Sequence, residues 1–451
     1  MKVVRRVEEA INRQNIPPGS RIYVSGNAAT PQVLLQEISR NETITEVELL
    51  GLLLLGEIDP LFREECCDRV THRVLFNTAH SRAALNSGRA MYQLMHLSDV
   101  PRQLRNHLRP DIALLSVSGP DKGGNYSLGT TVEGVPAAIE TAKAEGGLII
   151  AERNARMPFI LGSTIKAEMI DFMIDTDYEL PPNPSHQPDE RAKKIGRIIA
   201  ELFIHDGCTL QFGIGEMPEA VADAILAKGV QDLGIHTELF ATAMRKLVDA
   251  GVITNKYSRR KFSVSTLFLA EDQAGYDWFD MNSSVQSRPS DLTNSILHIA
   301  NEPKMVAINS AIGVDLHGNI WADSLNANQI YSGIGGQSDF LRGAYLSKGG
   351  VPIIALKSST NAGKSKIQEK SPEGVSVTAI AADPVIIVTE HGAFDPRGLS
   401  ICEHAVGIAH LAEPETRDDL LRHIYESDRF HNPRQALKDG PPKGFTPFED
   451  I

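Results

Sequence analysis

The chain has 451 residues, 42% hydrophobic and 23% charged, a composition that belongs to a folded globular protein and excludes disordered, collagen-like and coiled-coil architectures. Lys and Arg number 45 against 57 Asp and Glu, for a formal net charge of −12. A field of that sign attracts neither nucleic acid nor an anionic membrane, and leaves small anionic ligands held in a local basic pocket. The four cysteines, Cys66, Cys67, Cys208 and Cys402, are too few for a disulfide framework and lack metal-ligand spacing. They read as reduced thiols in a cytoplasmic compartment, and no metal site is expected.

The N-terminus, Met1-Lys2-Val3-Val4-Arg5-Arg6, is basic, but Glu8 and Glu9 follow instead of an apolar stretch, so it does not read as a secretory signal. A strand is predicted over 21–25 and a helix over 32–38. The apolar run 49–55, with Gly51 inside it, is too short to cross a bilayer and reads as a buried strand or core helix. A helix over 81–95, a strand over 111–117, a helix over 135–145 and a strand over 147–151 follow. The stretch Leu180-Pro181-Pro182-Asn183-Pro184-Ser185 is stiff and polar, as a linker is. Beyond it come helices over 190–204, 219–227 and 238–250, with strands over 209–212, 305–309, 351–356 and 385–389. Strands alternating with helices indicate an α/β fold with largely parallel sheets.

Ile22-Tyr23-Val24-Ser25-Gly26, leading to Pro31-Gln32-Val33-Leu34, is echoed by Leu210-Gln211-Phe212-Gly213-Ile214-Gly215, leading to Pro218-Glu219-Ala220-Val221. Each copy reads as strand, glycine turn, Pro at the first helical position, then amphipathic helix. The echo predicts two related open α/β domains, 1–185 and 186–451; an accidental similarity of two ordinary strand–helix units is the alternative.

Three loops are candidates for chemistry. Gly213-Ile214-Gly215-Glu216-Met217-Pro218 closes a strand and opens a helix, a place where free N–H groups bind anions. It lacks the third glycine of a dinucleotide fingerprint and the Lys-Ser/Thr ending of a nucleotide loop, and taken alone such a loop is more often a plain tight turn than a ligand cradle. Gly333-Ile334-Gly335-Gly336-Gln337-Ser338-Asp339 exposes consecutive backbone N–H groups suited to an oxyanion, or is a loop needing positive φ at two positions. In Gly234-Ile235-His236-Thr237-Glu238, Glu238 stands at the head of the helix predicted to run to Ala250. There it is a favourable first-turn charge or a nucleophilic carboxylate. His236 reads as a residue that packs or hydrogen-bonds locally.

Taken together the chain resembles the acetyl-CoA hydrolase/transferase family, and within it the 4-hydroxybutyrate and butyryl-CoA:acetate CoA-transferase branch. The first half carries the likeness in Ser118-Gly119-Pro120-Asp121, Tyr126-Ser127-Leu128-Gly129 and Glu152-Arg153-Asn154 with Met157-Pro158. The second half adds the three loops above, Asn309-Ser310, Val314-Asp315-Leu316, Arg342-Gly343-Ala344 and Thr389-Glu390-His391-Gly392. The resemblance implies two open α/β domains with the active site between them. It implies Glu238 as the nucleophile that carries CoA as a glutamyl thioester, with Gly335 and Gly336 beside the thioester carbonyl. It also implies that Gly213, Ile214, Gly215, Glu216 and Met217 line the CoA site, with Lys357 as a further contact. Coenzyme A is then substrate and covalent carrier, with no tightly bound cofactor. The partners are acyl-CoA and small carboxylates, in a homo-oligomer. Acyl-CoA hydrolysis by the same Glu238, and a non-catalytic CoA- or phosphosugar-sensing module, are the alternatives. Met217 and the turn from Asn27 to Thr30 are candidates for acid specificity. The chain departs from the family pattern at 377–383 and 393–398, which touches substrate identity more than chemistry.

Overall fold

Strands rich in Ile, Leu and Val and buried on both faces assemble into parallel sheets, because only helices packed on each side can shield such runs. The strand Ile112–Val117 is buried at every position. The computed structural model describes residues 1–430 and 440–451. The first half forms an eight-stranded sheet in the order Lys2–Val4, Phe172–Thr176, Leu148–Asn154, Ile112–Val117, Arg21–Val24, Val47–Leu52, Val70–Phe76 and Ala90–Tyr92. Every pairing in it is parallel. The second half forms a seven-stranded sheet in the order Gly234–Ile235, Thr209–Phe212, Met305–Asn309, Val351–Ala355, Ile386–Thr389, Gly392–Phe394 and Phe445–Pro447. Its first five strands run parallel and the last two are antiparallel additions at one edge.

The echoed segments occupy equivalent places. From Arg21–Val24 the chain adds strands on one side, then returns to lay Ile112–Val117 on the other; from Thr209–Phe212 it does the same with Gly234–Ile235 and Met305–Asn309. Each is therefore a point where the strand order reverses, and the crevice beyond the strand ends at such a point is where open α/β sheets bind ligands. The two domains meet along a seam of main-chain bonds: Val132 N–H donates to Thr266 O (3.0 Å), Phe268 N–H to Thr130 O (2.9 Å), and the Asn27 amide to Phe268 O (2.8 Å).

Several elements differ from the sequence expectation. The helix expected over 81–95 is Ala79–Asn86 only; the chain turns at Gly88 and returns as the edge strand Ala90–Tyr92. The helix expected from 219 begins at Glu216, so Pro218 lies in its first turn, where a missing N–H costs nothing. Pro31 likewise directly precedes its helix, which starts at Gln32. The helix expected over 238–250 is Thr242–Asp249. Leu239–Phe240 pairs in parallel with Leu267–Phe268, and this long-range pairing overrides the local helical pattern. The run 49–55 resolves as a strand, Val47–Leu52, followed by a turn.

Candidate active site

Glu238 does not cap a helix. It sits in the turn between Gly234–Ile235 and Leu239–Phe240, at the carboxyl edge of the second sheet. Its carbonyl oxygen is held by three donors, Thr266 N–H (3.2 Å), Leu267 N–H (2.9 Å) and Ser265 Oγ–H (3.0 Å). A backbone pinned in this way presents the side chain in one direction, into the seam between the domains.

What the carboxylate meets there is the glycine-rich loop. Gly336 directly precedes the ten-residue helix Gln337–Leu346, and the Glu238 carboxylate lies against it, where the Gly336 N–H favours its charge. The carboxylate thus lies at a helix N-terminus, where peptide dipoles favour negative charge. The approach is close enough to require glycine. A Cβ on residue 336 would stand 3.1 Å from Glu238 Cδ and inside the contact surfaces of Oε2 and Asn294 Nδ2. A Cβ on residue 335 would stand 3.6 Å from Glu238 Oε1 and 3.2 Å from Phe76, and Gly335 has φ +60°, a conformation that favours glycine. Of Gly333, Gly335 and Gly336, only Gly335 has positive φ; the other two are needed for space.

Asn294 completes the constellation. Its Nδ2 donates to Glu238 Oε2 at 2.8 Å, while its Oδ1 accepts from Thr293 Oγ–H at 2.9 Å. The first domain closes the other side: Leu97 N–H donates to Gly335 O (2.9 Å), Ser98 Oγ–H donates to Asp339 Oδ1 (2.8 Å), and Phe76 packs on the loop. Glu238 is partly buried, and desolvation pushes its carboxyl up to about 7, helped by the like charge of Asp339; the Asn294 and Gly336 donors oppose the shift. His236 packs against Phe340 and its Nε2 bonds Thr293 O at 2.7 Å, so it supports the turn before Asn294, in agreement with the local role expected of it.

The second group of expected residues forms a separate site on the same sheet edge. A cleft of about 490 Å³ opens at the strand-order reversal between Thr209–Phe212 and Met305–Asn309, lined by Gly213, Ile214, Glu216, Met217, Lys357 and Lys366 among others. Gly215 is not on its wall; with φ +104° it turns the chain into the helix that starts at Glu216. Lys357 is already engaged, its Nζ lying 2.8 Å from Asp189 and 2.7 Å from Glu216. Lys366, by contrast, is lowered by desolvation and by the nearby cations Lys357 and Arg191. Glu238 does not line this cleft, although the strand before it neighbours Thr209–Phe212.

The turn from Asn27 to Thr30 lies at the matching reversal in the first sheet, wholly buried and bonded to the second domain through Asn27. Glu390, His391 and Glu413 gather near the cleft floor, where Glu390 accepts from Ser358 N–H (2.9 Å) and Oγ–H (3.0 Å) and faces Arg191 at 3.7 Å. This cluster ties the turn after Val351–Ala355 to the next strand. In the departing segments, Ala379 of 377–383 is bridged to Ile320, and 393–398 begins in Gly392–Phe394, the strand between Ile386–Thr389 and Phe445–Pro447. All four cysteines are free thiols, and burial raises each of them. Asn294, Phe76, Ser98 and Asp339 were not assigned from sequence; no spacing marks Asn294, 56 positions beyond Glu238, and only the fold joins them.

Two family descriptions match the chain: the acetyl-CoA hydrolase/transferase N-terminal domain over residues 1–181 and its C-terminal domain over residues 272–424. A 4-hydroxybutyrate coenzyme A transferase of Clostridium kluyveri is 34% identical over 422 residues, covering 92% of this chain and 95% of that protein. A succinyl-CoA:acetate/propanoyl-CoA:succinate CoA transferase of Fasciola hepatica is 33% identical over 416 residues, covering 90% and 85%. The crystal structure of RipA from Yersinia pestis superposes with a TM-score of 0.86 at 30% identity, covering 94% of this chain and 97% of that one. The chain belongs to the acetyl-CoA hydrolase/transferase family.

Proposed function

We propose that the protein is an acyl-CoA:carboxylate CoA-transferase that moves CoA between a short-chain acyl-CoA and a small acid such as acetate, with Glu238 as the covalent carrier. One observation supports this above the others. The Glu238 carboxylate accepts from the Asn294 amide at 2.8 Å and lies against Gly336, at the start of a helix, too closely for any Cβ there. Burial alone does not mark a nucleophile, since buried Glu133 and Glu152 are raised to about 7 as well; what supports the role is that the partly exposed Glu238 side chain meets donors at a helix start, standing ready for charge.

The chemistry balances without a base or an external proton. A Glu238 oxygen attacks the thioester carbonyl, the carbon–sulfur bond breaks, and a mixed anhydride and CoA thiolate result. The thiolate attacks the glutamyl carbon, the donor acid leaves as its carboxylate, and CoA remains on Glu238 as a thioester. An acceptor carboxylate then runs both steps in reverse. The second attack places the oxyanion on the Glu238 side chain itself, where the Asn294 amide already donates and the Gly336 N–H stands beside it; each such donor contributes roughly 3–4 kcal/mol in comparable sites. Holding the thiolate beside the anhydride makes its return effectively unimolecular, worth up to about 7–11 kcal/mol. The cleft lined by Gly213, Met217, Lys357 and Lys366 is the proposed seat of the CoA body, whose remote binding energy can offset strain at the reacting bond.

Transfer is favoured over hydrolysis by the two relatives named as transferases, similar over about nine-tenths of this chain. The test is CoA exchange from butyryl-CoA with and without acetate. Formation of acetyl-CoA in proportion to acetate supports transfer; CoA release at the same rate without acetate would make the protein a hydrolase.

A further inference from the structure

The carboxylate of Asp339 lies close to Glu238 and takes no step in the chemistry above. It stands in the first turn of the helix that Gly336 opens and is buried. Two like charges sharing a site are costly unless something is gained by keeping both. Its two oxygens are bound from across the domain seam, Oδ1 by Ser98 Oγ–H at 2.8 Å and Oδ2 by Ser98 N–H at 3.2 Å; desolvation raises its carboxyl, while the Ser98 donors and the nearby Asn294 amide favour its ionised form.

Asn294 is the shared element. A side-chain amide can rotate by a half-turn, exchanging its donor NH2 for its acceptor oxygen. Turned the wrong way, it would set an oxygen against Glu238 and repel the charge it is needed to hold. That turn is opposed from both sides: Thr293 Oγ–H donates to the Asn294 oxygen at 2.9 Å, and the Asp339 carboxylate, an acceptor when ionised, stands near the amide that donates to Glu238 at 2.8 Å. The other ionisable groups around this arrangement are His96, beside Asp339, and the His236–Glu302 pair behind Thr293.

We propose that Asp339 is a positioning residue for CoA transfer: anchored by Ser98 of the first domain, it locks the Asn294 amide with its NH2 directed at Glu238. The lock forms only when the two domains are docked, because Ser98 and the Leu97 N–H that holds Gly335 come from one domain and Asp339 and Asn294 from the other. This rests on Glu238 being the carrier.

The test is a double-mutant cycle on CoA exchange from butyryl-CoA to acetate, with thermal unfolding measured for every variant. Asp339→Asn keeps the size but replaces one acceptor oxygen by a donor, so it no longer forces the orientation. It is expected to lower kcat about 10- to 100-fold with KM for butyryl-CoA changed less than about threefold. In an Asn294→Ala background the same change is expected to cost less than about threefold, since the group it acts through is gone. Ser98→Ala, which removes one anchoring bond, provides the second route if Asp339→Asn does not fold; it should lower kcat about three- to tenfold at unchanged KM. An equal loss in both backgrounds, a loss confined to KM, or an unchanged kcat in a folded variant overturns the proposal. Wild-type protein and Glu238→Gln run alongside: exchange missing in the wild type would defeat the transferase reading, whereas exchange present and insensitive to Asp339 defeats only this inference.

Discussion

Replacing Gly336 by Ala adds one methyl group at the most crowded point of the site. The backbone accepts it, since Gly336 has φ −101°, an ordinary value for an L residue. The obstacle is the Glu238 side chain: the new Cβ would lie 3.1 Å from Cδ and closer still to Oε2, against a normal contact of about 3.5 Å or more between carbons. Either the carboxylate retreats by about 1 Å or the helix start does. In both cases the Gly336 N–H and the Asn294 amide lose their aim. A 1 Å misplacement costs about 10²-fold and a lost oxyanion donor about 10²–10³-fold, so kcat for exchange should fall 100- to 1,000-fold, or about 2.7–4 kcal/mol in the barrier. The loss should be in kcat, because the cleft lined by Gly213 and Lys357 lies apart from Gly336. The assay is acetate-dependent acetyl-CoA formation from butyryl-CoA, with circular dichroism and thermal unfolding as controls for folding. A folded Gly336→Ala variant with wild-type kcat would refute the placement of the chemistry at Glu238.

Two further outcomes follow from the same geometry. Lys357→Ala removes a cation from the cleft and leaves Asp189 and Glu216 facing any anionic ligand, so KM for butyryl-CoA should rise about 10- to 100-fold with kcat little changed; an unchanged KM would move the CoA body elsewhere. Glu133 is fully buried beneath Tyr23, and desolvation raises it to about 7 against a hydrogen bond from Tyr23 that lowers it. The folded state therefore favours its protonated form. That contribution is present below about pH 4.5 and is lost as pH rises through about 7, by roughly 3 kcal/mol over the window. Thermal unfolding at pH 5 and pH 8 should show a smaller decline in stability for Glu133→Gln than for the wild type, and equal declines would contradict the assignment.

The α/β class and most central strands were legible in the chain because buried parallel strands write themselves as short apolar runs: Thr209–Phe212 and Met305–Asn309 fall where the pattern places them. The glycine loops were legible for a related reason, since glycine is kept where another backbone or side chain comes too close for a Cβ. The ends of elements were less so. The helix expected from Glu238 gave way to a short strand because its partner, Leu267–Phe268, lies nearly thirty residues away, and local periodicity carries no trace of that pairing. The same blindness hid Asn294, Phe76 and Ser98. Each is an ordinary residue in its own segment, and its part in the site exists only once two sheets bring distant turns to one seam. Asp339 was visible as a member of the glycine-rich run, but nothing in that run announced its bonds to Ser98 across the domain boundary.

The central claim is that Glu238 carries CoA through a covalent bond. It is tested most directly by incubating the protein with butyryl-CoA in the absence of any acceptor acid, digesting it, and measuring the mass of each peptide. The account predicts a CoA-sized increase on the peptide containing Glu238, discharged when acetate is added and absent from the Glu238→Ala variant. An adduct on a cysteine peptide, or exchange that persists in Glu238→Ala, would contradict it.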